Sequence, residues 1–296
     1  MRRVFRLPAI LAVAVAACER DAVPTEPDPP ANEAILTIGG VRPAAMIRPL
    51  DYAVGTPLPI VIALHGFTSN AADTDRYFGL SRRIDTDGIA LILPNGTRNP
   101  DGLSFWNATD FCCDGYGSGV DDVGYLNSLV EEAGQHIVPD GVYLVGLSNG
   151  AFMSHRMACE SMPGLRAIAS VAGTTFNDPE VCERARPLSV LHIHGTADEV
   201  IRYGGGSGLG GTRYPGARET VERWAARAGC DLDASESLSR LDLDRFLEGA
   251  ETTRRRYGEA CADGIRVELW TIQTGPHVPA FDPDDIGRRL IAWFLE

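Results

Sequence analysis

The chain contains no lysine: its 27 basic residues are all arginine, and they face 40 Asp and Glu for a formal charge of -13. The exclusive use of arginine fits codon bias in a GC-rich genome. The acidic balance lacks the clustered positive charge that phosphate binding requires, which excludes a nucleic-acid partner. It also disfavours strongly anionic substrates; neutral or apolar ones fit better. Without lysine, the glycine-rich run Gly204 to Gly211 (GGGSGLGG) has no Lys-Ser/Thr after it and reads as a surface loop rather than a phosphate cradle. Paired CxxC units are missing, which argues against a zinc site, and no metal ligand set is expected. Long apolar runs are missing too. The stretch from Leu7 to Ala17 is too short to span a bilayer.

That stretch has another reading. Arg2, Arg3 and Arg6 supply a positive leader, small residues follow, and Val15-Ala16-Ala17-Cys18 has the form of a bacterial lipobox. Residues 1–18 are therefore expected to be a signal peptide with a lipobox cysteine. Cys18 is the expected lipid attachment point, holding the protein to a membrane surface outside the cytoplasm. Residues 19–33, rich in Pro, Asp and Glu, read as an extended linker. Residues 34–296 read as a single domain, expected to be a monomer.

An exported protein with an even number of further cysteines invites disulfides. The local pairings are Cys159 with Cys182 and Cys230 with Cys261. Cys112 and Cys113 are adjacent, and either bridge each other or pair elsewhere.

Short continuous apolar runs recur at Ile60–Leu64, Ile89–Leu93, Val142–Val145, Ala167–Val171, Leu188–Ile193 and Val267–Ile272. Such runs suit parallel strands buried on both faces. Helical patterns separate several of them, at Val120–Ile137, Phe152–Glu160 and Glu219–Ala228, and Ile286–Leu295 closes the chain. The alternation predicts an α/β protein with a mostly parallel central sheet and helices on both faces. Leu36–Ile38 and Ala45–Leu50 are expected as antiparallel edge strands. Asp231 to Arg256 is charged and reads as an insertion or irregular excursion.

The sharpest motif is Gly146-Leu147-Ser148-Asn149-Gly150. It follows an apolar strand and precedes a helix, the order a nucleophile elbow needs. The turn exposes the Ser hydroxyl, and flanking glycines keep neighbouring backbone from clashing with it. A neutral hydroxyl is a weak nucleophile and needs a base. In such folds a carboxylate and a His follow in that order. Asp198, in His194-Gly195-Thr196-Ala197-Asp198, and His277, in Gly275-Pro276-His277, each sit just past a strand. The expected catalytic set is Ser148, Asp198 and His277, with Phe67 and Asn149 supplying backbone N–H groups to an oxyanion hole. Phe67 and Trp106 are candidate apolar contacts for substrate; core packing is the competing role for Trp106. His192 and His194 share one strand face and read as structural rather than a metal pair. His65, His136 and His155 also read as structural. Asp121 and Asp122 read as helix caps or dipole partners, since adjacent residues cannot face each other across a glycosidase cleft.

Taken in order, Leu64-His65-Gly66-Phe67, Phe105-Trp106-Asn107 to Cys112-Cys113, Val120-Asp121-Asp122-Val123-Gly124-Tyr125, Gly146 to Ala151 and His194 to Asp198 resemble the extracellular esterases that include polyhydroxybutyrate depolymerases and feruloyl or acetyl-xylan esterases. The resemblance implies an α/β-hydrolase fold, acyl-enzyme chemistry on an ester substrate, and neither metal nor organic cofactor. It carries the catalytic roles to Ser148, Asp198 and His277. Members of that group often have Gly-Gly-His followed by an aromatic and Pro; this chain has Gly275-Pro276-His277-Val278-Pro279, which leaves the substrate surface beside the His open to difference. No separate polymer-binding domain or Ser/Thr-rich linker is visible, so a soluble ester is as well supported as a solid polyester. A peptidase on the same fold and a lipid-anchored binding protein are the rival readings.

Overall fold

The computed structural model describes residues 34–208, 211–258, 261–262 and 264–296. The expected signal peptide (1–18), its lipobox Cys18 and the linker (19–33) lie outside the described residues.

The described residues form one compact unit. Among the described residues a ten-stranded sheet spans it. In chain order the elements are β1 (Ile35–Ile38), β2 (Ala44–Ile47), β3 (Pro57–Leu64), α1 (Ala71–Phe78), α2 (Ile84–Asp87), β4 (Ala90–Leu93), β5 (Thr97–Arg98), β6 (Ser104–Phe105), α3 (Asp122–Ala133), β7 (Val138–Leu147), α4 (Asn149–Cys159), β8 (Leu165–Val171), β9 (Ser189–Gly195), β10 (Gly206–Ser207), β11 (Arg213–Tyr214), α5 (Ala217–Arg227), β12 (Ser235–Leu241), β13 (Thr252–Tyr257), β14 (Val267–Ile272) and α6 (Pro283–Leu295). The sheet order is β1-β2-β4-β3-β7-β8-β9-β14-β13-β12. The six strands from β4 to β14 in that order are parallel, and both edges are antiparallel. This is the mostly parallel sheet the apolar runs predict.

The central strands are mostly apolar because both of their faces are covered. On β3, Ile60, Ile62 and Leu64 enter one core, with Leu126 and Leu129 of α3, Phe152 and Met153 of α4, and Val221 and Trp224 of α5. Val61 and Ala63 enter the other, with Phe78 of α1 and Ile286, Leu290 and Ile291 of α6. The two-residue alternation of strand side chains makes this division.

The segment from Asp231 to Arg256, expected to be irregular, instead supplies β12 and most of β13, which extend the sheet past β14. Its strands are polar because they lie at the edge with one face half exposed. His136, expected in a helix, lies in the turn between α3 and β7. Bridges join Cys159 to Cys182, Cys230 to Cys261, and the neighbours Cys112 and Cys113.

Candidate active site

Parallel strands deliver their carboxyl ends to one edge of the sheet, the usual place for ligands in such folds. Here β3 leads to Phe67, β7 to Ser148, β9 to Asp198 and β14 to His277.

Ser148 stands between β7 and α4 with φ 52° and ψ -116°. That left-handed φ is costly for a residue with a Cβ and persists only where the surroundings impose it. The neighbours do so by close approach. A Cβ on Gly150 would meet the carbonyls of Leu64 and His65, and one on Gly146 would meet Gly150. A Cβ on Gly173 would lie 2.7 Å from the Ser148 carbonyl oxygen. The glycines thus let the elbow sit against β3 and the end of β8.

The sequence-expected residues come together. His277 Nε2 is 2.9 Å from Ser148 Oγ, and His277 Nδ1 is 2.8 Å from Asp198 Oδ2. The Asp198 Oδ1 atom accepts from the backbone N–H groups of Val200 and Ile201 at 2.9 and 2.8 Å. Burial alone would raise the pKa of this carboxyl. Hydrogen bonds from His194 and His277 and the Ile201 N–H outweigh it, and Asp198 is held well below the usual carboxylate range. It is a carboxylate wherever an imidazole beside it is neutral.

The His277 loop is braced by the connection between β12 and β13. Asp244 Oδ2 accepts from Ala280 N–H at 2.9 Å, Arg245 N–H donates to Ala280 O, and Asp244 forms a β-bridge with Phe281. From α1, Tyr77 OH donates to Pro279 O at 2.9 Å.

Phe67 lines the cavity beside Ser148, and Asn149 follows the serine as the first residue of α4. The Asn149 side chain is fully buried: Oδ1 accepts from Trp106 N–H at 2.7 Å and Nδ2 donates to Trp106 O at 2.9 Å. Trp106 itself has no exposed surface, and its indole N–H donates to His65 O at 3.0 Å. Its burial fits the packing role and removes it from direct contact with a substrate. His65 accepts from Gly96 N–H on Nε2, so its proton lies on Nδ1, 2.8 Å from Gly66 O. Burial pushes its pKa down, which keeps it neutral. These bonds tie the loop after β3 to the loop around β5 and β6.

Asp121 caps α3 through Gly124 N–H at 2.7 Å, as expected. Asp122 does not. It is fully buried and accepts from Arg42 at 2.7 Å and from Asn107 N–H at 2.7 Å. Burial raises its pKa despite these partners. Nothing near Asp122 in sequence announces Arg42 as its partner.

A cavity of about 330 Å³ opens beside Ser148. Phe67, Tyr77, Leu147 and Val278 give it apolar walls, and Ser69 and Asp73 add polar groups. Phe67 is 40% exposed there. A hydroxyl, an imidazole and a buried carboxylate in contact beside such a cavity can attack a carbonyl centre.

No family model matches the chain. Among curated proteins it is 29% identical over 234 residues to "Putative esterase NocK" of Nocardia uniformis subsp. tsuyamanensis, covering 74% of this chain and 64% of that protein. It is 25% identical over 231 residues to feruloyl esterase B of Piromyces equi, covering 74% and 39%. Its curated relatives are esterases. The group the motifs resemble includes feruloyl and acetyl-xylan esterases, and curated relatives carry those names. The chain spans less than two thirds of the length of these first relatives. Among solved structures, an acetyl xylan esterase from Aspergillus awamori superposes with a TM-score of 0.64 at 14% identity, over 88% of this chain and all of that one. At that identity the match speaks to the fold alone, and the fold is that of the α/β-hydrolases.

Proposed function

We propose that the protein is a serine carboxylic ester hydrolase that works through an acyl-enzyme. The observation that carries this reading is the continuous contact from Ser148 Oγ through His277 to Asp198, at 2.9 and 2.8 Å. In the proposed mechanism Ser148 Oγ attacks the ester carbonyl carbon while His277 Nε2 takes its proton. Asp198 keeps the His277 Nδ1–H in place and stabilises the imidazolium. The N–H groups of Phe67 and Asn149 take the charge that develops on the carbonyl oxygen. His277 then passes its proton to the departing alkoxide, leaving the acyl group on Ser148. Water attacks that acyl group with His277 again as base, releasing the acid and restoring the hydroxyl.

The apolar walls of the cavity suit a short-acyl or aromatic ester, and the names of the relatives point to feruloyl and acetyl esters. The motif resemblance adds hydroxybutyrate esters to the same class. We place the protein outside the cytoplasm, secreted or held to the cell envelope through lipid on Cys18. No helix among the described residues is long and apolar enough to cross a membrane. Peptide hydrolysis by the same groups is the second reading; the esterase relatives favour the first.

A fluorophosphonate probe tests the assignment of the nucleophile. Mass analysis after labelling is expected to find the adduct on the Ser148 peptide and none on Ser148→Ala. A folded protein that takes no label, or takes it elsewhere, contradicts the proposal.

A further inference from the structure

Besides His65, three histidines outside the Ser148–His277–Asp198 contact, His155, His192 and His194, have no exposed surface. They are not scattered. His192 and His194 alternate on β9, so their rings share one sheet face, with His192 Nε2 3.1 Å from His194 Nδ1. His192 Nδ1 is 3.2 Å from Ser170 Oγ on β8, and Ser170 Oγ is 3.0 Å from His155 Nε2 on α4. The indole N–H of Trp224, on α5, lies 3.0 Å from His155 Nδ1. At the other end His194 Nε2 is 2.7 Å from Ile201 O and 3.2 Å from Asp198 Oδ2. A buried chain of polar groups therefore runs from α5 to the carboxylate of Asp198.

The two ends of this chain are fixed by chemistry. An indole N–H only donates, so His155 Nδ1 accepts. Burial drives the His155 pKa down to about 3, which keeps the ring neutral with its proton on Nε2. At the far end a backbone carbonyl and a carboxylate only accept, so His194 Nε2 must carry a proton. Between them, the Ser170 hydroxyl can turn to His192 or to Gly173 O, 2.8 Å away. Either way His194 donates toward Asp198. The carboxylate then accepts from the N–H groups of Val200 and Ile201 on Oδ1 and from His277 on Oδ2, while the His194 Nε2–H, bonded to Ile201 O at 2.7 Å, reaches within 3.2 Å of Oδ2 as a second, longer partner.

We propose that His194 is a positioning residue for the reaction, its Nε2–H fixing the Asp198 carboxylate so that Oδ2 faces His277. This rests on the reading of Ser148, His277 and Asp198 as the catalytic set. The His192–Ser170–His155–Trp224 chain holds the His194 ring in turn. The role of His194 is orientation of a group that never touches substrate, so its loss should appear in kcat and leave KM nearly alone.

The test compares His194→Phe, which keeps the ring but cannot donate, with His194→Gln, which places an amide N–H near the position of Nε2. On p-nitrophenyl acetate, His194→Phe is expected to lower kcat about tenfold to a hundredfold, the scale for partners that orient a reacting group, with KM within about twofold. His194→Gln should recover most of the loss. Adding His194→Phe to Asp198→Asn should cost less than about twofold more, because neighbours that act through one another are not additive. A folded His194→Phe with unchanged kcat, or the same loss again in the Asp198→Asn background, overturns the proposal. Should His194→Phe fail to fold, long-range 1H–15N correlation on the unaltered protein decides instead. A protonated His194 Nε2 is expected, and an unprotonated one overturns the proposal. That spectrum reads no activity, so it stands apart from the Ser148→Ala rates that test the catalytic set itself.

Discussion

His277 Nε2 lies 2.9 Å from Ser148 Oγ although 129 residues separate them in the chain. Nothing local enforces that distance. The serine is held by the elbow between β7 and α4, and the imidazole by a loop after β14 that is fastened from outside, through Asp244 and Tyr77.

Loosening that fastening should therefore act on chemistry. Asp244→Ala leaves the Ala280 N–H without its acceptor and removes one end of the brace. A loss of about 1–3 kcal/mol in stability is expected, together with a fall of about tenfold in kcat on p-nitrophenyl acetate if even a small displacement of the imidazole is felt. Thermal unfolding and steady-state rates measure both. A folded variant with full kcat would show that the His277 loop holds itself.

Asp198 couples the site to stability at low pH. Its folded pKa is depressed, so the stability it confers is complete above the unfolded value of about 4 and is lost as pH falls through the folded value. The stability difference between the protein and Asp198→Asn should be constant above about pH 5 and shrink steadily below about pH 4. At neutral pH the same substitution should cut kcat by about ten-thousandfold, the scale for replacing such a carboxylate by its amide. A difference that grows on acidification would contradict the direction assigned to Asp198.

The elbow makes a steric prediction. Gly150→Ala puts a methyl group into the carbonyls of Leu64 and His65, and backbone cannot yield as a side chain can. Destabilisation of about 3 kcal/mol or more is expected, at the upper end of overpacking costs, with activity lost even where the variant folds. Gly40→Ala meets nothing within 4 Å; only its left-handed backbone is strained, so a cost of about 1 kcal/mol is expected. Equal melting temperatures for the two variants would contradict the close approach at Gly150.

The parts of this fold that were legible in the sequence are those whose environment is written locally. The strands around Ile60–Leu64 and Val142–Val145 are continuous apolar runs because helices cover both faces. Ser148, Asp198 and His277 could be picked out because each follows such a run. The strands β12 and β13 could not. Ser235–Leu241 and Thr252–Tyr257 carry charges at an edge where burial is partial, and Arg256 pairs with the buried Glu268 of β14, 2.8 Å away. The place of Asp122 in the first turn of α3 is legible as a helix-start acid, but its partner Arg42 is 80 residues distant. His192 and His194 share a strand face without a third ligand, which marks them as structural, but their link to Asp198 depends on a turn at Ile201 that no spacing reveals.

The central claim is that Ser148 is the nucleophile of an ester hydrolase. It is tested most directly by initial rates on p-nitrophenyl acetate for the protein and for Ser148→Ala at equal, verified folded concentration. The account predicts turnover by the former and a loss of about a millionfold in kcat for the latter, down to the detection limit. Equal rates in the two proteins, or no turnover by either on acetate and longer-chain esters, would contradict it.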